Sequence, residues 1–152
     1  MLRARLDRAR RGEPVTVLLD RVREDMEERL QAVTRTFFDA AEIGAPVALL
    51  QEPLADRFRS IARVDPDRSE MLDLPPESLD LAVSALAFQF VNDLPGVLAQ
   101  IRRALRPDGL LLAAMIGGDT LTELRQSFAA AEAECEGGVS PRVAPFADLR
   151  DI

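Results

Sequence analysis

From Leu79 to Thr120 the chain reads LDLAVSALAFQFVNDLPGVLAQIRRALRPDGLLLAAMIGGDT. Leu79 to Ser84 is mainly apolar, as in a strand covered on both faces. Asp93 is placed to cap a helix whose first turn tolerates Pro95. Leu94, Val97, Leu98, Ile101 and Leu105 then recur at helical spacing and give that helix an inner face. Arg106-Pro107-Asp108-Gly109 carries Pro at the second position of a turn. Leu110 to Met115 follows as a second buried strand. Strand, helix and strand in this order form a βαβ unit with parallel strands.

Working outward, Thr120 to Glu136 reads as a long helix stopped by Gly137-Gly138, with a loop from Val139 to Ile152. Upstream, Thr36 to Ala41 and Ser60 to Val64 read as strands. A turn at Glu42-Ile43-Gly44-Ala45-Pro46 and a helix from Val47 to Arg59 lie between them. Asp67 to Pro76 is acidic loop. Val15, Leu18, Leu19, Val22, Met26, Leu30 and Val33 mark one apolar stripe on an earlier helix, opposite a charged face. Met1 to Gly12 holds five arginines and reads as a solvated basic helix. The expected organisation is a helical segment over residues 1–34 and an α/β domain over 35–152. In such a domain ligands bind outside the carboxyl ends of the strands, here Glu42–Pro46, Asp65–Asp67, Ser84–Phe90 and Met115–Asp119.

Composition narrows the functions. Of 152 residues, 47% are apolar and 30% charged, which suits a globular domain with a core. The net charge of −7 argues against nucleic acid or an anionic membrane as the main partner. There is no histidine, so a Ser-His-Asp hydrolase and a His-based metal site are both excluded, and no metal is expected. The single cysteine, Cys135, makes no internal disulfide and suits a reducing cytoplasm. No apolar run approaches the roughly 18 residues of a membrane span.

Glu77-Ser78-Leu79-Asp80-Leu81, Ser84-Ala85-Leu86 and Phe90-Val91-Asn92-Asp93-Leu94-Pro95-Gly96 resemble the S-adenosylmethionine-dependent methyltransferases of type 11, related to the biotin-synthesis methyltransferases. Gly117-Gly118-Asp119-Thr120-Leu121, Glu123-Leu124-Arg125 and Gly137 to Phe146 resemble a narrower branch, the complex I assembly methyltransferase-like proteins and their alphaproteobacterial relatives. The resemblance is dense from Glu77 to Asp151, looser from Met1 to Pro46, and weak from Val47 to Leu74.

The resemblance implies a Rossmann-like parallel sheet holding S-adenosylmethionine, and methyl transfer to an unidentified acceptor. Glu42, Gly44 and Ala45 fall in its cofactor loop, where a structural turn is the competing account. Asp65, with Asp67 as the alternative, falls where an acid accepts hydrogen bonds from the ribose hydroxyls. The acid that the family turns toward the adenine falls near Arg68, with Asp67 and Glu70 beside it. Ser84, Ala85 and Leu86 would face the methionine part. On the substrate side stand Gln89, where some relatives carry histidine, and Asn92, together with Gly117, Gly118 and Asp119. Two departures are plain. The interval from Glu42 to Asp80 is too short for two full βα units and a third strand, and the family's last helix and strand pair have no counterpart before Ile152. The expectation is therefore a truncated sheet of about four strands, with edges that a homodimer would cover. The complex I branch implies arginine hydroxylation and an assembly role, so the alternatives are an assembly or interaction module without catalysis, or a truncated fragment. A protein substrate or assembly partner follows from either.

Overall fold

The computed structural model describes residues 16–45, 47–50 and 57–148. They form two bodies, one within residues 1–115 and one within 116–152. The basic stretch from Met1 to Gly12 lies outside the described residues.

The first body is a four-stranded sheet with strands β1 (Asp39–Ile43), β2 (Ser60–Val64), β3 (Leu79–Ala85) and β4 (Leu105–Ala114). All pairings are parallel and the spatial order is β2-β1-β3-β4. Helix α1 (Val17–Ala32) precedes the sheet and α2 (Leu94–Ala104) joins β3 to β4. The fold is thus the expected α/β, Rossmann-like arrangement. The first strand is displaced toward Ile43, because Asp39 rather than Thr36 opens the ladder to Ser60.

Every residue of β3 is buried, as its apolar run requires. Leu81, Val83 and Ala85 join one cluster with Leu19, Met26 and Leu30 of α1 and with Phe37, Leu49 and Leu50. Leu18 of the predicted stripe is instead exposed. Arg57 closes the carboxyl end of α1 by donating to the carbonyls of Leu30, Val33 and Arg35 at 2.8, 3.0 and 3.0 Å. One of these carbonyls, Leu30, lies in the last turn of the helix and also accepts the Val33 N–H, while Val33 and Arg35 follow it. Asp93 caps α2 as expected, its carboxylate accepting from the Gly96 N–H at 2.9 Å.

β4 differs from the sequence reading. It pairs only with β3 and is half-buried at Leu110, Leu111 and Leu112, so it is an edge strand rather than a fully covered one. Its register jumps from Leu79↔Leu105 to Leu81↔Leu110, and the predicted turn at Arg106–Gly109 is the bulge between them. A Cβ on Gly109 would lie 2.9 Å from both the Arg106 carbonyl and Leu105. That close approach selects glycine.

Among the described residues the two early connections carry little helix. Val47–Leu50 form bends, and residues 51–56 of the expected helix lie outside the described residues. The β2–β3 connection, residues 65–78, has no helix and, with turns at 68–69 and 76–77, runs the length of α2. The Glu70 carboxylate meets the Asn92 and Asp93 N–H groups, the Leu72 N–H donates to Gln100 Oε1, and the Glu77 and Ser78 N–H groups donate to the Arg103 and Ala104 carbonyls. Pro66, Pro75 and Pro76 lack N–H donors and keep this stretch from coiling.

At the amino end of the sheet four charged side chains tie the strands together. Asp39 receives Arg59 and Ser60 from the β2 side and Arg106 from β4. Arg106 also meets Asp80 of β3 at 3.0 Å, and Asp80 accepts the Phe38 and Asp39 N–H groups.

In the second body, α3 (Thr122–Cys135) ends before Gly137, whose φ of +68° stops it. Glu132 on α3 holds the following segment through the Ser140 N–H and hydroxyl and through Arg142. Among the described residues no helix is long and apolar enough to cross a membrane.

A candidate site at the carboxyl ends of β1 and β3

The strand order makes β1 and β3 neighbours, while the connection from β1 leads first to β2 on its other side. This is a topological switch point, and the crevice outside such strand ends is where doubly wound sheets bind ligands. Gly44 leaves β1 with φ +65°, a conformation that glycine adopts freely. A Cβ there would lie 2.8 Å from the Ala87 Cβ, so the loops after β1 and β3 touch at this glycine. On the β3 side, the Ser84 hydroxyl donates to the Ile43 carbonyl at 2.9 Å. Leu86 turns out of the strand with φ +54°, its N–H donating to Ala114.

Glu42 is 1% exposed. Its Oε1 accepts the Leu49 and Leu50 N–H groups, both at 2.7 Å, and fixes the course of the loop after β1. Oε2 is buried 3.3 Å from Arg63 Nε but lacks hydrogen-bond alignment. Arg63, in register with Glu42 on β2, also donates to the carbonyl of buried Ala45 at 3.0 Å. The side chain of Glu42 therefore shapes the loop from inside.

The two aspartates after β2 behave differently. Asp67 closes its own turn, Oδ1 accepting the Ser69 and Met71 N–H groups at 2.7 and 2.9 Å. Asp65 is exposed at the strand end and engages no described residue. Glu70, read from sequence only as a neighbour of the adenine-facing position, accepts from Asn92 N, Asn92 Nδ2 and Asp93 N at 2.7, 2.8 and 2.7 Å. The Asn92 N–H, then that of Asp93, hold the Glu70 carboxyl below its ordinary range against the opposing effect of burial. The loop after β2 is thereby fastened to the loop after β3, and Asn92 is occupied in that fastening. Gln89 turns its Nε2 to the Leu86 carbonyl at 2.7 Å and leaves Oε1 buried without a donor.

The first body thus assembles Glu42, Gly44, Ala45, Ser84, Ala85, Leu86 and Gln89 around adjacent strand ends, with Asp65 and Asp67 one strand away. Gly117, Gly118 and Asp119 belong to the second body. There the Thr120 N–H donates to Gly117, and Arg125 donates to the Gly118 carbonyl. A Cβ on Gly117 would meet nothing within 4 Å. Arg63 and Glu70 were not singled out from sequence. Glu70 has no local signal, whereas the pairing of Arg63 with Glu42 follows once β1 and β2 are set in register.

Residues 51–113 match the family described as a methyltransferase domain. Over 83 residues the chain is 51% identical to the arginine-hydroxylase NDUFAF5, mitochondrial, of Rattus norvegicus, covering 55% of this chain and 24% of the relative. Over 78 residues it is 45% identical to the malonyl-[acyl-carrier protein] O-methyltransferase of Xylella fastidiosa, covering 51% of this chain and 24% of the relative. The chain therefore spans about a quarter of the length of these curated relatives. Among solved structures, the YcgJ protein of Bacillus superposes with a TM-score of 0.57 at 14% identity, over 87% of this chain and 64% of that one. That likeness bears on the fold alone.

Proposed function

We propose, starting from the S-adenosylmethionine-dependent methyltransferase family to which the chain belongs, that the crevice between the β1 and β3 ends is its cofactor site and serves methyl transfer. The observation that carries this reading is Gly44. It stands at the switch point with φ +65° and packs against the Ala87 Cβ, which brings the loops after β1 and β3 together at the strand ends where such sheets bind ligands. The residues present fit the cofactor. Gly44 and Ala45 carry the chain out of β1 with minimal side-chain volume, and Ser84 to Ala87 supply the facing wall. Asp65 offers an exposed carboxylate free to accept hydrogen bonds from two ribose hydroxyls. Bound S-adenosylmethionine supplies a methyl group on a positively charged sulfur. The chain's own contribution is to hold the cofactor and orient the approaching nucleophile, work that requires no histidine.

The relatives' names attach different chemistry to similar domains, an arginine hydroxylation and an O-methylation. The acceptor proposed here is a group carried on a partner protein. The setting is the cytoplasm, as the lone exposed Cys135 suits, and a second copy covers the exposed edge strands. The competing reading is an interaction module that kept the fold without catalysis. The inward-turned carboxylate of Glu42 supports it, since both N–H contacts of that side chain go to the loop itself.

Calorimetric titration with S-adenosylmethionine or S-adenosylhomocysteine separates the two. The cofactor reading expects a Kd tighter than about 100 μM, or about −5.5 kcal/mol, and loss of binding in a folded Gly44→Arg variant. Absence of binding by a chain that is folded by circular dichroism leaves the interaction module.

A further inference from the structure

The carboxamide of Gln89 sits in unequal surroundings. Nε2 donates to the Leu86 carbonyl at 2.7 Å, while Oε1 is buried and meets no donor. The orientation is fixed by the backbone, because rotating the amide by half a turn would set Oε1 against the Leu86 oxygen, acceptor to acceptor. Oε1 shares its carbon with Nε2, so it too stands at the carboxyl end of β3. The backbone there is unusual as well, with Leu86 at φ +54°, a conformation that non-glycine residues retain mainly where function holds it. A buried acceptor without a donor carries a desolvation penalty that an incoming donor removes.

We infer that Gln89 is a specificity-determining residue whose Oε1 accepts a hydrogen bond from an N–H or O–H group on the methyl acceptor. The acceptor class is then an amine, amide, guanidine or alcohol. A bare carboxylate is disfavoured, since its lone pairs would face those of Oε1. This inference rests on the cofactor reading above and adds the chemistry of the second substrate to it.

Sinefungin provides the probe. It carries an amine-bearing carbon where the cofactor has its sulfonium methyl, so it presents an N–H donor toward the acceptor side, and S-adenosylhomocysteine does not. The intact chain, Gln89→Met and Gln89→Glu are titrated with both compounds. The intact chain is expected to favour sinefungin by about tenfold, the scale of one charge-assisted hydrogen bond. Gln89→Met brings the two affinities within about twofold of each other, read as a ratio in which any loss common to both compounds cancels. Gln89→Glu, which keeps an acceptor and adds a negative charge, restores or raises the preference. Should Gln89→Met fail to fold, the Gln89→Glu ratio alone decides, and a ratio below that of the intact chain overturns the inference. The same ratio in the intact chain and in Gln89→Met also overturns it, and means that Oε1 meets water only. If neither compound binds the folded intact chain, the cofactor reading falls and this inference with it. If both bind independently of residue 89, only the inference falls.

Discussion

The two ends of the sheet use polar residues in opposite ways. At the amino end the charges answer one another: Asp39 is met by Arg59, Ser60 and Arg106, and Asp80 by Arg106 and two backbone N–H groups. At the carboxyl end the pairing is incomplete. Asp65 engages no described residue, and Glu42 Oε2 and Gln89 Oε1 are buried without hydrogen-bond partners. A saturated network returns its free energy to the fold, whereas unpaired groups hold hydrogen-bonding capacity that a ligand can use. If stability belongs to the first end and recognition to the second, as proposed, substitutions at the two ends should separate these properties.

The largest expected effect is Asp80→Ala. It strands the Phe38 and Asp39 N–H groups and removes one of the two carboxylates on Arg106. The loss should be about 2–4 kcal/mol, read as a lower urea midpoint at unchanged slope. A loss below about 0.5 kcal/mol, the range of an ordinary surface change, would show that the amino end does not carry the fold.

Acid should act on the same end. The Arg59 hydrogen bond, followed by Ser60, holds the Asp39 carboxyl far below its ordinary value, with burial opposing and Arg106 adding to the effect. For Asp80, burial pushes the pKa upward, but the Asp39 N–H, Arg106 and the Phe38 N–H together outweigh it. Both carboxyls bind protons less readily folded than unfolded. Their contribution is thus complete above the ordinary value of 3.8 and is lost as the pH falls below it. The urea midpoint should hold down to about pH 4 and drop as the pH falls from there toward 2. Asp39→Asn should be weaker at pH 5 yet lose less on acidification, while Glu70 and Glu132, shifted in the same direction, retain their share. An Asp39→Asn chain with the full wild-type drop would exclude the network as its source.

What could be read from sequence was local. The Asp93 cap and the glycine stop at Gly137 depend on neighbours within a turn, and the structure has both. The buried run of β3 announced itself by composition. The amino-end network joins residues from about twenty to nearly seventy positions apart, and nothing within the reach of one turn marks Asp39 as the partner of Arg106. The edge position of β4 was equally hidden, because Leu110–Leu112 is as apolar as β3 and only the strand order shows which side lacks a neighbour. At the candidate site, Gly44 and the aspartates after β2 were visible as residue types. How far each is already engaged was not. One signal was available: Asp67 two positions before Ser69 is the spacing at which an aspartate closes its own turn.

That distinction supports the prediction with the smallest effect on stability. Asp65 and Asp67 lie two residues apart on one exposed loop, one engaging no described residue and the other bound to the Ser69 and Met71 N–H groups. Asp65→Ala should shift stability by no more than about 0.5 kcal/mol and weaken S-adenosylhomocysteine by about tenfold, as expected when a carboxylate acceptor of ribose hydroxyls is removed. Asp67→Ala should do the reverse, loosening the loop and lowering the urea midpoint while changing affinity less. 5′-Methylthioadenosine, which keeps the ribose and lacks the amino-acid part, should lose the same factor as S-adenosylhomocysteine in Asp65→Ala. Equal losses of stability in the two variants, or a loss of affinity confined to Asp67→Ala, would place the ribose contact elsewhere. The carboxyl end would then be held for stability as the amino end is.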